Sequence, residues 1–281
     1  MPRIFDPRQL KKLFKPARDS GGEDNGQVTI VGGSSLFHGA PLLALKVAAR
    51  IVDMVFFASP EKSVGMVAEG LKSKLLSFIW IPWEELEDYI AKSDVVLIGP
   101  GFMRFRSEKS PHRHEAHVCD EACQMTRGIT KDLLTKFPDK KWVIDAGSLQ
   151  VMDPEWIPQG AIVTPNKKEY QIMFGERTPQ DAAKKYNCTI VVKGPTASVV
   201  DPERIVEVRN GNPGLTKGGT GDVLAGLAAA LLAKNDAFLA ACAASYITKA
   251  AADELYKKVG TNYNADDLAD KIPEVLFELT R

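Results

Sequence analysis

The chain has 281 residues, with 36 Lys+Arg against 36 Asp+Glu, 44% hydrophobic and 26% charged. That is the profile of a soluble globular protein, and it excludes disorder, collagen-like repeats and a disulfide-dense secreted scaffold. A formal net charge of zero gives no bulk attraction to nucleic acid or to an anionic membrane, so any anion must be held by local geometry.

In chain order, the basic start MPRIFDPRQLKKLFKP lacks the apolar core and small-residue cleavage site of a secretory signal and reads as a solvated lead-in helix, within a lead-in segment of residues 1–25. Strand QVTIVGGS, a helix over Pro41–Val52, strand MVFFAS, a mixed helix and strand DVVLIGPG follow, which is the βαβ rhythm of a parallel sheet. An amphipathic segment then ends near Phe137, before strand KWVIDAG, strand AIVTPN, a helix from Lys168 and strand TIVVKG. A hairpin through Val199–Val208 leads to helices from Asp222 to the end. Several strands are apolar throughout, as expected when both faces are covered. The expected fold is a three-layer α/β/α domain over residues 26–281 around a mostly parallel sheet, with Met103–Arg127 as a polar, His-rich loop or lid. The longest nearly apolar run, Val223–Ala233, is well short of the roughly 20 residues that span a bilayer. Cys119, Cys123, Cys188 and Cys242 form no CxxC pair, a usage that suits a reducing cytoplasm.

Strand ends VGGSS, GPG, DAGS and TPN are small, polar or turn-forming, and in open parallel sheets ligands bind beyond the strands' carboxyl ends. The strongest single motif is KGGTGDVLAG, residues 217–226, a glycine-rich turn running into an Ala/Leu-rich helix. Its free N–H groups and helix dipole suit a phosphate, so Gly218, Gly219, Thr220 and Gly221 form a candidate anion hole. The Lys precedes the glycines, so this is not a Walker A loop, and Gly32-Gly33 gives no dinucleotide fingerprint. Asp222 is either a helix N-cap or a general base beside the phosphate cradle; the neighbouring GGTG favours the base.

TPNKKE offers Asn166 and Glu169. On its own the segment reads as a capping box, with a pair ordering a magnesium-bound water as the functional alternative. Lys193 and Gly194 end an apolar strand and are candidate nucleotide contacts. The cluster His112, His114, His117, Cys119 and Cys123 has N/S ligands but none of the usual zinc spacings, so a lid is the favoured reading. No GxSxG elbow accompanies His38.

Taken together, VGGSSLFHGAPLLA, DVVLIGPG, VIDAGSL, IVTPNKKE, VVKG and NPGLTKGGTGDVLAG resemble the ADP/ATP-dependent NAD(P)H-hydrate dehydratases, from about Gly26 to the C-terminus. The resemblance implies a ribokinase-like fold and nucleotide-driven dehydration of NADHX or NADPHX, with Mg2+ and a homo-oligomeric assembly. It implies that Ala40, Gly101, Asn166 and Asp222 meet the hydrated dinucleotide, and that Lys193, Gly194, Pro195, Thr196, Ala197 and Gly221 hold ADP or ATP. Asp222 is the implied base and Glu169 the magnesium contact through water. The absence of an epimerase domain ahead of these residues points to ADP. Asn166 stands where the family has His in TPHxxE, and it cannot serve as acid or base. Ala197 stands where Thr or Ser is common. The resulting NxxE pattern makes a ribokinase-type vitamin or sugar kinase the nearest alternative, and a non-catalytic nucleotide sensor the next.

Overall fold

Apolar strands of four or five residues, each followed by a helical pattern, cannot bury both faces alone and stack into one sheet with helices above and below. The computed structural model, which describes residues 3–73, 75–104 and 119–281, shows this arrangement. The strands are β1 (Arg3–Ile4), β2 (Gln27–Val31), β3 (Met54–Ala58), β4 (Ile79–Trp80), β5 (Val95–Ile98), β6 (Lys141–Ile144), β7 (Ile162–Val163), β8 (Thr189–Val192), β9 (Ala197–Val200) and β10 (Ile205–Val208). Their order in the sheet is β1-β10-β9-β8-β7-β6-β5-β2-β3-β4. The run from β4 to β8 is parallel throughout, and β9 is antiparallel to both β8 and β10.

The helices are α1 (Gly39–Ala48), α2 (Lys62–Leu71), α3 (Leu86–Lys92), α4 (Glu121–Lys136), α5 (Ala146–Val151), α6 (Lys167–Phe174), α7 (Pro179–Tyr186), α8 (Thr220–Leu232), α9 (Ala237–Val259) and α10 (Ala265–Thr280). Alternate residues of one strand enter different cores. Val95 and Leu97 join the apolar layer of α1, α8, α9 and α10, whereas Val96 and Ile98 join that of α3, α4, α5, α6 and α7.

The amino-terminal segment departs from the solvated helix expected of it. Arg3–Ile4 pairs in parallel with β10 at the sheet edge, Pro7–Lys12 is a short 3-10 helix, and Phe5, Leu10 and Leu13 are buried in the core. Two residues of backbone pairing leave no hydrophobic period to read. The short elements β4, α5 and α7 were likewise not distinguished. Residues 105–118, the heart of the expected lid, lie outside the described residues, as do His112, His114 and His117. Cys119 and Cys123 are joined in a disulfide, a pairing not expected from a usage suited to a reducing cytoplasm, and this leaves neither thiolate for a metal. Cys188 and Cys242 are buried free thiols.

Helices α1 and α8 cross at Gly226, where a Cβ would lie 2.4 Å from the carbonyl oxygen of Ala44. Since the obstacle is backbone, Gly226→Ala must push the helices apart, an overpacking cost of about 1–3 kcal/mol. Urea unfolding should show a lower midpoint at unchanged slope. An unchanged midpoint would mean that the crossing relaxes freely.

Candidate active site

The loops after β2, β5 and β6 interlock so closely that side chains have no room. A Cβ on Gly99, whose φ is +113°, would sit 1.9 Å from the carbonyl oxygen of Asp145, and one on Gly101 would sit 2.6 Å from that of Phe37. Beyond these strand ends opens a cavity of about 630 Å³. Its lining includes Ala40, Gly101, Glu169, Lys193, Gly218, Gly219, Gly221 and Asp222. Residues drawn from five separate sequence motifs therefore meet in one place.

Three helices that start at this cavity, α1, α5 and α8, have no side-chain cap on their first N–H groups. By contrast α4, α6, α7, α9 and α10 are each capped by an Asp, Asn or Thr side chain. The start of α8 is set by Gly219, the N-cap residue at φ +90°, a conformation that favours glycine. Asp222 is therefore the third residue of the helix rather than its cap, which removes the capping alternative. Thr220 is buried, and its hydroxyl donates to the carbonyls of Leu215 (2.7 Å) and Lys217 (2.9 Å). Its hydroxyl proton is thus engaged within the loop, and its N–H also donates to the Lys217 carbonyl at 3.4 Å.

Four charged side chains share the floor. Lys193 Nζ donates to Asp145 Oδ1 at 2.7 Å and lies 3.9 Å from Glu169 Oε2. It also lies 3.5 Å from where a Cβ on Gly221 would be, beside the first turn of α8. Asp145 is 1% exposed and also accepts from the Thr164 hydroxyl at 2.7 Å. Burial pushes the Asp222 carboxyl up to about 7, reinforced by the negative charge of Asp145 and opposed by Lys193. Burial also raises Glu169, against the pull of Lys193. For Lys193 burial disfavours the charge, yet Asp145 and Glu169 outweigh it and the ammonium is held more tightly than usual. A carboxylate poised near neutrality in a cavity is what a general base requires.

Asn166 and Glu169 form a capping box. Asn166 Oδ1 accepts from the N–H groups of Lys168 (2.9 Å) and Glu169 (3.0 Å), and Glu169 Oε2 accepts from Asn166 N–H (2.8 Å). Glu169 Oε1 accepts from Gln150 Nε2 (2.9 Å), whose Oε1 accepts from Arg104 Nη1 (2.6 Å). Among the described residues no group of three or more His, Cys, Asp or Glu is placed to hold a metal. Such a donor set suits an ion arriving on nucleotide phosphates and met through water by one or two carboxylates.

Gly194, Pro195 and Thr196 form the exposed turn between β8 and β9, while the Ala197 side chain is packed in the core, leaving only its backbone for a ligand. Gln150 and Arg104 also line the cavity, without a sequence signal that marks them, and His38, set aside for want of a serine elbow, lines it too. So does Asp145, which carried the same signal as Lys193, a charged residue at the carboxyl end of an apolar strand.

The family model for NAD(P)H-hydrate dehydratase matches residues 28–274. A bifunctional NAD(P)H-hydrate repair enzyme of Methanocaldococcus jannaschii is 36% identical over 277 residues, covering 95% of this chain and 51% of that protein. The chain thus spans about half the length of such bifunctional relatives. An ADP-dependent (S)-NAD(P)H-hydrate dehydratase of Cenarchaeum symbiosum is 30% identical over 296 residues, covering 99% of this chain and 98% of that one. Among solved structures, a ribokinase-like superfamily protein of Enterococcus faecalis superposes with a TM-score of 0.82 at 21% identity, covering 99% and 96% of the two chains. The Bacillus subtilis ADP/ATP-dependent NAD(P)H-hydrate dehydratase, co-crystallised with ATP and Mg2+, superposes at 0.75 with 21% identity, covering 99% of each. These likenesses show a ribokinase-like fold.

Proposed function

The chain belongs to the NAD(P)H-hydrate dehydratase family, and from that premise we propose that it is a carbon–oxygen lyase that returns (6S)-NADHX and NADPHX to NADH and NADPH at the expense of ADP or ATP. The observation that carries the proposal is Asp222, half-buried in the cavity at the start of an uncapped glycine-led helix, with its carboxyl raised to about 7. Hydroxide is a poor leaving group from the hydrated ring and phosphate a far better one. The Asp222 carboxylate takes the proton of the ring hydroxyl while that oxygen attacks the terminal phosphorus. The bond from phosphorus to the bridging oxygen breaks, and the shortened nucleotide departs. Phosphate then leaves with the ring oxygen, a proton is lost from the adjacent ring carbon, and the dihydronicotinamide double bond reforms.

The remaining roles are those the resemblance implies, supported for Ala40, Gly101, Lys193, Gly218, Gly219 and Gly221 by their places on the cavity wall. N–H groups at Gly218–Gly221 face the charge that builds on the transferring phosphoryl group. Ala40, Gly101 and Asn166 border the hydrated dinucleotide, and Lys193, Gly194, Pro195, Thr196, Ala197 and Gly221 the nucleotide. Magnesium would be met by Glu169 through water and would neutralise phosphate charge. ADP is the favoured donor, because relatives from Cenarchaeum symbiosum and Nitrosopumilus maritimus carry ADP in their names. The enzyme is further proposed to be a cytoplasmic homo-oligomer. Among the described residues no helix is long and apolar enough to cross a membrane, and light scattering would report the assembly.

Incubation with NADHX, MgCl2 and either nucleotide should restore the absorbance of reduced nicotinamide with equimolar release of phosphate. No recovery, with phosphate appearing instead on a vitamin or sugar alcohol, would replace the dehydratase with a kinase. Nucleotide binding with neither product would leave a sensor.

A further inference from the structure

Helix α9 is buried along much of its length and Ala-rich, yet it carries a lysine, Lys249, within that stretch at 5% exposure. Burying an ammonium is costly unless each donor is met. Here the three donors of the group find three carbonyl oxygens, those of Gly194 (3.1 Å), Pro195 (2.5 Å) and Asn210 (2.9 Å). Two of these belong to the β8–β9 turn and the third to the loop between β10 and α8, so one cation ties together two loops that do not adjoin in sequence. Burial lowers the Lys249 pKa and the nearby Asp253 acts to restore it.

One helical turn on, Asp253 grips the second loop from the same helix. It accepts from Gly211 N–H (2.9 Å) and from Asn212 Nδ2 (3.0 Å). Tyr263 OH donates to Asn212 Oδ1 at 2.8 Å, extending the brace to the segment before α10. The alkyl stem of Lys249 is itself seated, since a Cβ on Gly211, where φ is +102°, would lie 3.0 Å from Lys249 Cγ.

We propose that Lys249 is a positioning residue for the nucleotide, holding the turn at Gly194–Ala197 at a fixed distance from the loop that leads into Gly218–Gly221. The inference rests on the nucleotide-dependent reading above, which assigns these two loops to the adenine nucleotide and to its transferring phosphate. Lys249 touches neither ligand; it fixes how far apart the two halves of the nucleotide's seat stand. Its removal should therefore weaken nucleotide binding more than it slows the chemical step of a bound complex.

The test uses the full chain with Lys249→Met, which keeps the stem and removes the donors, and Gly211→Ala, which displaces the stem and keeps the ammonium. Calorimetric titration with ADP and with ATP should give a Kd raised about tenfold or more by Lys249→Met, equivalent to 1.4 kcal/mol, and raised in the same direction by Gly211→Ala. At saturating nucleotide kcat should stay within about threefold, and KM for the hydrated dinucleotide within about twofold. A lower thermal midpoint with nucleotide Kd unchanged in both variants would make Lys249 merely structural and overturn the inference. If Lys249→Met does not fold, Gly211→Ala decides by the same criterion. An unaltered protein that binds nucleotide but does not restore NADH would sink the dehydratase reading while the Kd comparison still tests Lys249. An unaltered protein that binds neither ADP nor ATP would overturn both.

Discussion

Asp222→Asn should lower turnover by roughly 10²–10⁴-fold, the usual worth of a general base, while nucleotide affinity stays within a few-fold and the protein becomes more stable above neutral pH. Activity and stability move in opposite directions for one reason. The folded carboxyl titrates near 7 against an ordinary 3.8, so the fold prefers it protonated. A group raised in this way contributes fully below pH ~4, and its contribution is lost as pH rises toward and through 7. At pH 8 the ionised Asp222 therefore costs roughly a few kcal/mol. Asn resembles the protonated acid in shape and charge and escapes that cost. Thermal melts at pH 5 and pH 8 should show the variant close to the parent at the lower pH and above it at the higher. For the parent, kcat/KM should climb with pH through about 7, and this limb should be missing from the residual activity of the variant. A variant that melts no higher than the parent at pH 8, or that keeps the limb, would place the titrating group elsewhere.

The same charge balance explains which parts of the molecule were readable from its residues. Strands such as VVLI are apolar at every position because both faces are covered, so DVVLIGPG and TIVVKG announce buried parallel strands directly. The polar strand ends and the glycine-led α8 likewise show as breaks in an apolar pattern. Lys249 carried no such signal. In an alanine-rich stretch of helix a single lysine looks like a solvated charge, and only the approach of two distant loops turns it into a bridge. Nor did β1 show, because its two residues are held by backbone pairing with β10 rather than by a face of their own. Asn166 was legible in the other direction: TPNKKE on its own reads as a capping box, and the side-chain oxygen is indeed committed to the first turn of α6.

Lys193→Met should be the most disruptive change in the site. Asp145 and Glu169 are almost fully buried, and Lys193 is the cation placed between them. Removing one partner of a buried ion pair leaves uncompensated charge and costs about 3–5 kcal/mol, far more than an exposed pair would. Methionine fills nearly the same volume, so the loss measures the charge rather than a cavity. Because Lys193 lowers the pKa of both Glu169 and Asp222, its removal should raise both, and protonation then relieves the buried charge. The stability deficit in urea should accordingly be largest near pH 8 and shrink as pH falls, and the acid limb of any remaining turnover should move above 7. Adding Glu169→Gln to Lys193→Met should recover part of the loss, since it deletes one of the two stranded charges. If that pair of changes is simply additive, the interaction between Lys193 and Glu169 at 3.9 Å contributes nothing and Asp145 alone defines the pair. A Lys193→Met protein as stable as the parent at pH 8, with its limb still near 7, would show that the ammonium does not set the charge state of the cavity floor. The base strength of Asp222 would then come from burial and the neighbouring carboxylates, Asp145 first.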